Sequence, residues 1–183
     1  RKQFVCVLFL DIRGFTAYCR NRSPVEIVRF QNDKFSFMID IIISAHGIIN
    51  QFLGDGFMAT FGAPLSGGND CQNAVNAARR IYEEVNLRSQ DGRIPKTVIG
   101  IGIHAGEVVT GNVGTTERQQ YSITGTPVII AARLEQLNKQ LMSHVLISQD
   151  VLDRLNNDFV PYEHIGPVEI RGMDQPMEVI KLA

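Results

Sequence analysis

The chain has 183 residues, of which 44% are hydrophobic and 20% are charged, and its formal net charge is −1. This composition is typical of a folded globular protein, and the length suffices for one domain with a substantial core. A protein that binds nucleic acid or an anionic membrane usually has an excess of basic residues, and this near-neutral chain does not. The longest apolar run, Phe37 to Ala45, is interrupted by Asp40 and is shorter than the roughly 18 to 20 residues that span a bilayer. We therefore expect no nucleic-acid partner and no membrane contact within this chain.

Three cysteines, Cys6, Cys19 and Cys71, show no metal-ligand spacing. Cys6 lies in an apolar run, where a cysteine behaves as a small buried hydrophobic residue. This cysteine usage fits a reducing compartment, so we expect a cytoplasmic location. Because the sequence starts at Arg1 without a methionine, we expect residues 1–183 to be one domain of a longer protein. An upstream sensor domain, or a membrane attachment, would then lie outside this chain.

The first predicted elements are a buried strand and a long helix. Gln3–Leu10 is a nearly continuous apolar run of strand length. Ser23 and Glu26 have the spacing of a capping box, with Pro24 at the first helical position. A helix is therefore predicted from Pro24 to about Ala45.

The rest of the chain alternates between strand and helix patterns. Apolar runs around Gly54-Asp55-Gly56 predict a tight hairpin of Ile48–Leu53 with Phe57–Phe61. A second hairpin is predicted around Ala105-Gly106. Its strands are Thr97–His104 and Glu107–Val113. Three further helices are predicted: one with Ala74, Ala78, Ile81 and Val85 on its inward face, one at Pro127–Lys139 and one at Gln149–Leu155. Further strands are predicted at Tyr121–Thr124, His144–Ser148, Val160–Ile165, Val168–Ile170 and Met177–Leu182. The mixture predicts an α+β fold, an α/β sandwich whose largely antiparallel mixed sheet is flanked by helices.

Two aspartates at the ends of apolar runs indicate the chemistry. Asp11 closes the first predicted strand, and Asp55 lies in the first hairpin turn. A carboxylate at the end of a buried strand is costly unless a cation compensates it. Mg²⁺ takes one or two protein carboxylates and leaves its other positions to water and phosphate oxygens. The two aspartates therefore predict metal-assisted phosphoryl chemistry.

Four sequence blocks narrow this prediction: residues 8–16 (LFLDIRGFT), 52–59 (FLGDGFMA), 101–108 (IGIHAGEV) and 131–135 (AARLE). In this order they resemble the blocks of class III nucleotidyl cyclase catalytic domains, and the resemblance covers nearly the whole chain. It implies a ferredoxin-like or palm-like core. It also implies a reaction in which the 3′-hydroxyl of a nucleoside triphosphate attacks the α-phosphate, which yields a 3′,5′-cyclic monophosphate and pyrophosphate.

The resemblance also implies where metal and phosphates bind. Asp11, Asp55 and the carbonyl of Ile12 would hold two Mg²⁺ or Mn²⁺ ions per site, one that activates the attacking hydroxyl and one that binds the triphosphate. Gly14-Phe15-Thr16 would form a turn whose N–H groups hold the terminal phosphates.

Two arginines complete the implied catalytic set. Arg133 would stabilise charge on the α-phosphate in the transition state, and Arg171 would neutralise the terminal phosphates. In the resembled family the metal aspartates and the arginine of one site come from different subunits, so we expect a homodimer with two shared sites. His104 lacks a histidine or cysteine at metal spacing and is interpreted as structural.

The two base-reading positions depart from the family pattern. Gln51 stands where adenylate cyclases usually carry lysine and guanylate cyclases glutamate. Ser122 stands where aspartate or threonine reads adenine and cysteine often reads guanine. A glutamine amide both donates and accepts, so it can pair with either base. Because serine is nearer to threonine than to cysteine, ATP is favoured, with GTP as the alternative.

A third departure concerns the ribose. Ile129 stands where the family carries an asparagine, and isoleucine cannot hydrogen-bond. The loss of one such contact costs on the order of 10²-fold in rate. The leading interpretation is an active adenylate cyclase. The alternatives are a guanylate cyclase and a weakly active or regulatory cyclase-fold dimerisation module; the absence of a Gly-Gly-(Asp/Glu)-Glu-Phe motif argues against a diguanylate cyclase.

Overall fold

The computed structural model describes residues 1–156 and 161–183. In chain order the elements are β1 (Lys2–Ile12), α1 (Phe15–Cys19), α2 (Pro24–Ser44), β2 (Gly47–Leu53), β3 (Gly56–Phe61), α3 (Asp70–Gln90), β4 (Ile99–Gly114), β5 (Gln119–Thr124), α4 (Thr126–Leu141), β6 (Val145–Ser148), α5 (Gln149–Leu152), β7 (Glu163–Val168) and β8 (Met177–Lys181). Within these described ranges, none of the helices combines the length and the apolar character needed to cross a membrane.

One mixed sheet runs through the domain in the order β2-β3-β1-β4-β6-β8-β7, and β5 pairs with the far end of β4. Of the pairs formed by the described strands, β4 with β6 is parallel and the others are antiparallel. The predicted α+β fold, an α/β sandwich with a largely antiparallel mixed sheet, is therefore confirmed.

The central strand β1 separates two apolar layers. Its even-numbered residues, from Cys6 to Ile12, pack in one core cluster with α2 and α3. Its odd-numbered residues Val5 and Val7 pack in another cluster with Ala131 of α4. Because side chains alternate along a strand, Asp11 continues the odd-numbered series. The Asp11 side chain therefore lies on the α4 side of the sheet.

The long helices form where the sequence predicts them. The hydroxyl of Ser23 accepts the N–H of Glu26 at 3.3 Å, and the Glu26 carboxylate accepts the N–H of Ser23 at 2.8 Å. This capping box starts α2 at Pro24. In α3 the predicted inward face is buried: Ala74, Ala78, Ile81 and Val85. Both helix predictions are confirmed.

The hairpin predicted around Ala105-Gly106 is wrong. The structure has one continuous strand, β4, in which Ala105 and Gly106 pair with Cys6 and Val5 of β1. A Cβ on Gly106 would stand 2.7 Å from Cγ of Pro127. Glycine is therefore needed here because α4 begins against the strand, and the chain does not turn at this point.

Two of the three strands predicted after residue 159 are also placed differently. The sequence predicts Val160–Ile165 and Val168–Ile170, whereas the structure has the single strand β7, which spans parts of both; Val160 lies outside the described residues. After Ile170 the chain turns, with Gly172 at a φ of 91°. Arg171 therefore lies in a turn and is exposed.

Candidate active site

The two predicted metal aspartates meet at one end of the sheet. Asp11 has Gly56 as its register partner in β3, and Gly56 directly follows Asp55. The N–H of Ile12 donates to the carbonyl of Asp55 at 2.7 Å, and the carboxyl group of Asp55 lies near enough to that of Asp11 to raise its pKa. A Cβ on Gly56 would stand 1.9 Å from the carbonyl oxygen of Leu10, so only glycine permits this pairing. Backbone pairing thus holds the carboxyl groups side by side.

The electrostatics of this carboxylate pair favour a cation. Burial raises the pKa of Asp11 to about 8, and the neighbouring carboxyl groups of Asp55 and Glu135 add to the effect. Burial likewise raises the pKa of Glu135 to about 7, although Lys139 and Arg13 oppose the shift. Three carboxyl groups therefore crowd one end of the sheet, where a divalent cation would relieve their repulsion.

The donors at this position suit a hard metal ion. In residues 1–156 and 161–183 no group of three or more histidine, cysteine, aspartate or glutamate side chains is arranged to hold a metal. Asp11 and Asp55 offer carboxylate oxygens, and the main chain of Ile12 lies beside them. Mg²⁺ and Mn²⁺ prefer such oxygen ligands and commonly take their remaining ligands from phosphates and water. The residues present fit the predicted metals.

The predicted phosphate turn opens a short helix next to the carboxylate pair. Gly14 is the N-cap of α1 and has a φ of 74°, which a glycine adopts without strain. Phe15 and Thr16 are the first residues of α1, where N–H groups have no acceptor within the helix. The Phe15 ring packs 6.0 Å from the Phe30 ring of α2. The turn is thus anchored, and its N–H groups are available to an anion.

The two predicted arginines line a second part of the site. A groove of about 570 Å³ is lined by α4 and the segment after β7, and Ile129, Arg133 and Arg171 belong to its lining. We call it the arginine groove. A Cβ on Gly172 would stand 3.1 Å from Nη1 of Arg133, so the chain after Arg171 passes close to the guanidinium. Nη1 of Arg133 is buried without a hydrogen-bond partner, which leaves a donor for an acceptor from outside.

The two base-reading positions lie in a third region. Gln51 is exposed in β2, and its register partner in β3 is Met58. Met58 packs in the same apolar cluster as Ile123 of β5, the neighbour of Ser122. The Ser122 hydroxyl lies 3.3 Å from that of Thr124. The fold therefore brings β5 against β3, and β2 and β5 also contact each other.

His104 is buried in the core. Its Nδ1 lies 2.7 Å from the Ser148 hydroxyl and 4.0 Å from Oδ2 of Asp150. Burial lowers the pKa of His104, so the imidazole stays neutral near pH 7. Ser148 is fully buried as well, and this arrangement fits the structural role predicted for His104.

The sequence patterns assign no role to four polar residues near the site: Arg13, Glu135, Asn138 and Ser143. The available signal is weak. Glu135 and Asn138 recur three residues apart on the otherwise apolar face of α4 that carries Ala131 and Leu134. Two polar residues on a buried helix face indicate specific partners.

Comparison with known proteins identifies the family. The family model for the adenylate and guanylate cyclase catalytic domain matches residues 1–182. The chain belongs to this family. An adenylate cyclase from Anabaena cylindrica is 33% identical to the cyclase domain over 185 residues, which cover 96% of this chain and 36% of the relative. The domain spans about a third of the length of the curated relatives it matches.

Solved structures support the same assignment. The adenylyl cyclase CyaB from P. aeruginosa matches the cyclase domain with a TM-score of 0.87 at 27% identity, over 99% of this chain and 94% of that chain. The guanylyl cyclase Cya2 matches with a TM-score of 0.86 at 28% identity, over 99% and 92%. Since the domain is nearly equally similar to both, the choice of base must be argued from site residues.

The carboxylate pair predicts how Asp11→Asn changes stability. With its pKa raised to about 8 in the folded state, Asp11 keeps a proton that the unfolded chain releases above about pH 4. Stability should therefore fall as pH rises between these values. Asp11→Asn lacks this titrating group, so its stability should change less with pH. We therefore expect that, in EDTA, the Tm of the wild type drops about 2–5 °C more than the Tm of Asp11→Asn when the pH rises from about 5 to about 8; this range allows for solvent screening.

Adding Mn²⁺ at the higher pH should raise the Tm of the wild type much more than that of Asp11→Asn, because a bound ion stabilises the folded state. Asp33→Asn, at an exposed position of α2, is the control and should follow the wild type. Thermal denaturation monitored by circular dichroism checks both results. Identical pH and Mn²⁺ responses for wild type and Asp11→Asn would contradict the assignment of the carboxylate pair.

Proposed function

We propose that the domain converts ATP to 3′,5′-cyclic AMP and pyrophosphate and that it acts as a homodimer with two equivalent sites. The observation that carries the proposal is the strand pairing that sets Asp11 beside Asp55, in a chain that the cyclase family model matches along residues 1–182. Two carboxyl groups held side by side suit a reaction on a metal-bound polyphosphate.

In this proposal each group has one task in an in-line displacement. Asp11, Asp55 and the Ile12 carbonyl would hold two Mg²⁺ or Mn²⁺ ions, which would lower the pKa of the 3′-hydroxyl and screen the triphosphate charge. The N–H groups of Gly14-Phe15-Thr16 donate to the terminal phosphates. The 3′-hydroxyl loses its proton to water, the bond from O3′ to the α-phosphorus forms while the bond from that phosphorus to the bridging oxygen breaks, and pyrophosphate leaves.

The arginine groove serves the charge that develops during this step. Arg133 has a buried, unpaired Nη1, and a donor fixed in advance stabilises a transition state without reorganisation. Arg171 is exposed at the rim of the same groove, where it can pair with the terminal phosphates. A planar guanidinium is well suited to phosphate oxygens because it offers several donors in a fixed geometry.

The proposed homodimer is supported by the separation of the carboxylate pair from the arginine groove within one chain. Of the described residues that line the arginine groove, none is Asp11 or Asp55, so we assign the carboxylates and the arginines of one chain to different sites. Val109, Val113 and Ile129 are more than half exposed. Apolar side chains exposed next to a site are typical of a protein interface. We place the carboxylate pair of one subunit opposite the arginine groove of its partner.

ATP is the proposed substrate because Ser122 offers a hydroxyl where adenine-selective relatives carry threonine. GTP is the second candidate, since the Gln51 amide can present a donor or an acceptor to either base. We also propose a cytoplasmic location, where nucleoside triphosphates are available, and control by an upstream sensor domain. The domain spans only about a third of its curated relatives, which leaves room for such a domain in a longer protein.

Turnover is the direct test. Purified domain with Mn²⁺ and ATP should release cyclic AMP and pyrophosphate in equal amounts. Asp55→Asn should lower kcat by about 10²–10⁴-fold, since it weakens metal binding at the reacting centre. Asp33→Asn should leave kcat unchanged. The proposal fails if neither ATP nor GTP gives a cyclic nucleotide, or if Asp55→Asn retains full activity.

The departures at Ile129 and Gln51 give a second prediction. Ile129→Asn adds an amide at the groove and should raise kcat by about 10–100-fold, because a ribose contact is gained. Gln51→Lys should raise kcat/KM for ATP relative to GTP. Ile129→Leu keeps the apolar character and is the matched control. Steady-state kinetics with both nucleotides measures these effects, and equal kcat values for Ile129→Asn and Ile129→Leu would contradict the ribose assignment.

A further inference from the structure

A buried chain of hydrogen bonds joins the end of β1 to the end of α4. Arg13, which follows β1, donates from Nη2 to the carbonyl oxygen of Ser143. The Ser143 hydroxyl donates to Oδ1 of Asn138 at 2.8 Å. Nδ2 of Asn138 donates to the carbonyls of Ile101 in β4 and Glu135 in α4, each at 3.0 Å. Asn138 and Ser143 are fully buried. We call Arg13, Asn138 and Ser143 the clamp.

The clamp acts on a helix that lies directly on the sheet. A Cβ on Gly102 of β4 would stand 2.2 Å from the N of Glu135 and 2.6 Å from the O of Ala131. A Cβ on Gly100 would stand 2.7 Å from Oε1 of Glu135. At Gly102 the backbone of α4 therefore rests on the backbone of β4, and at Gly100 the strand backbone contacts the Glu135 side chain. Such a contact fixes the height of the helix, while the clamp restrains its movement along the strand.

Both ends of the clamp adjoin proposed site residues. Arg13 follows Asp11 by two positions, and Asn138 follows Arg133 by five. At 1.5 Å per residue, that places Asn138 about 7–8 Å along the helix axis from Arg133. Because a misplacement of about 1 Å can cost 10²-fold in rate, movement of α4 relative to β1 would affect the reaction.

Stability alone is a poor explanation for the clamp. Nε of Arg13 and Oε1 of Glu135 are both buried without a hydrogen-bond partner. An unpaired buried polar atom destabilises a fold, and apolar residues of similar size would avoid that cost. Buried polar networks kept at such a cost are expected where position matters.

We propose that Arg13, Asn138 and Ser143 are positioning residues, which hold α4 and its Arg133 in register with the end of β1 and so set kcat more than substrate affinity. This inference rests on the proposed function. In the proposed dimer the carboxylate pair and Arg133 of one chain serve different sites. The clamp of each chain would then join one metal site to the arginine groove of the other site.

The test compares Arg13→Lys and Ser143→Ala with Ser148→Ala, which also deletes one buried serine hydroxyl but lies outside the clamp, against His104. In the intact domain with Mn²⁺ and ATP, we expect the two clamp variants to lower kcat by about 10-fold while KM changes less than about 3-fold. Ser148→Ala should lower Tm without changing kcat per folded protein. Unchanged kcat in both clamp variants would overturn the inference.

Hydrogen exchange gives a second readout that does not require turnover. Amides of residues 127–135 should exchange faster in Arg13→Lys and Ser143→Ala than in the wild type, and Ser148→Ala should leave them unchanged. If the wild type cyclises neither ATP nor GTP, the proposed function is refuted, but the exchange experiment still tests whether the clamp holds α4. Faster exchange would still support the clamp, and unchanged exchange would refute it.

Discussion

The register of β1 with β3 is the constraint on which the rest of the site depends. It sets Asp11 opposite Gly56 and brings the Ile12 N–H within 2.7 Å of the Asp55 carbonyl. Backbone hydrogen bonds, with apolar layers on both faces of β1, hold two carboxyl groups together although they repel each other when ionised. The core thus maintains an arrangement whose repulsion is relieved either by a cation or by the proton that Asp11 keeps up to about pH 8.

The second half of the proposed chemistry depends on how closely α4 lies on β4. Glycine at position 102 lets the helix backbone contact the strand, and Ile129 and Arg133, which line the arginine groove, lie on the same helix. One helix therefore carries the positions proposed to face the ribose and the α-phosphate, while the sheet end carries the carboxylates. In the proposed homodimer, a second copy of the chain would complete each of these halves.

Features with local causes were predictable from the sequence. The capping box at Ser23 and Glu26, the strand before Asp11 and the hairpin at Asp55 depend on neighbouring residues, and the structure has all three. The role of Gly106 was not predictable, because glycine is needed there to make room for Pro127, which lies 21 positions later in the chain. The clamp was hidden for the same reason: Arg13 and Ser143 are 130 positions apart. Sequence patterns identified the candidate site residues, but their relative placement required the fold.

The most direct test of the two-half account is complementation. An Asp55→Asn chain keeps its arginine groove, and an Arg133→Ala chain keeps its carboxylate pair. Each homodimer should be nearly inactive, but co-expression should yield heterodimers with one intact site. With random pairing, half of the dimers are heterodimers with one working site of two, so the mixture should recover about a quarter of wild-type activity. If no ratio of the two chains recovers activity, the account of shared sites is wrong.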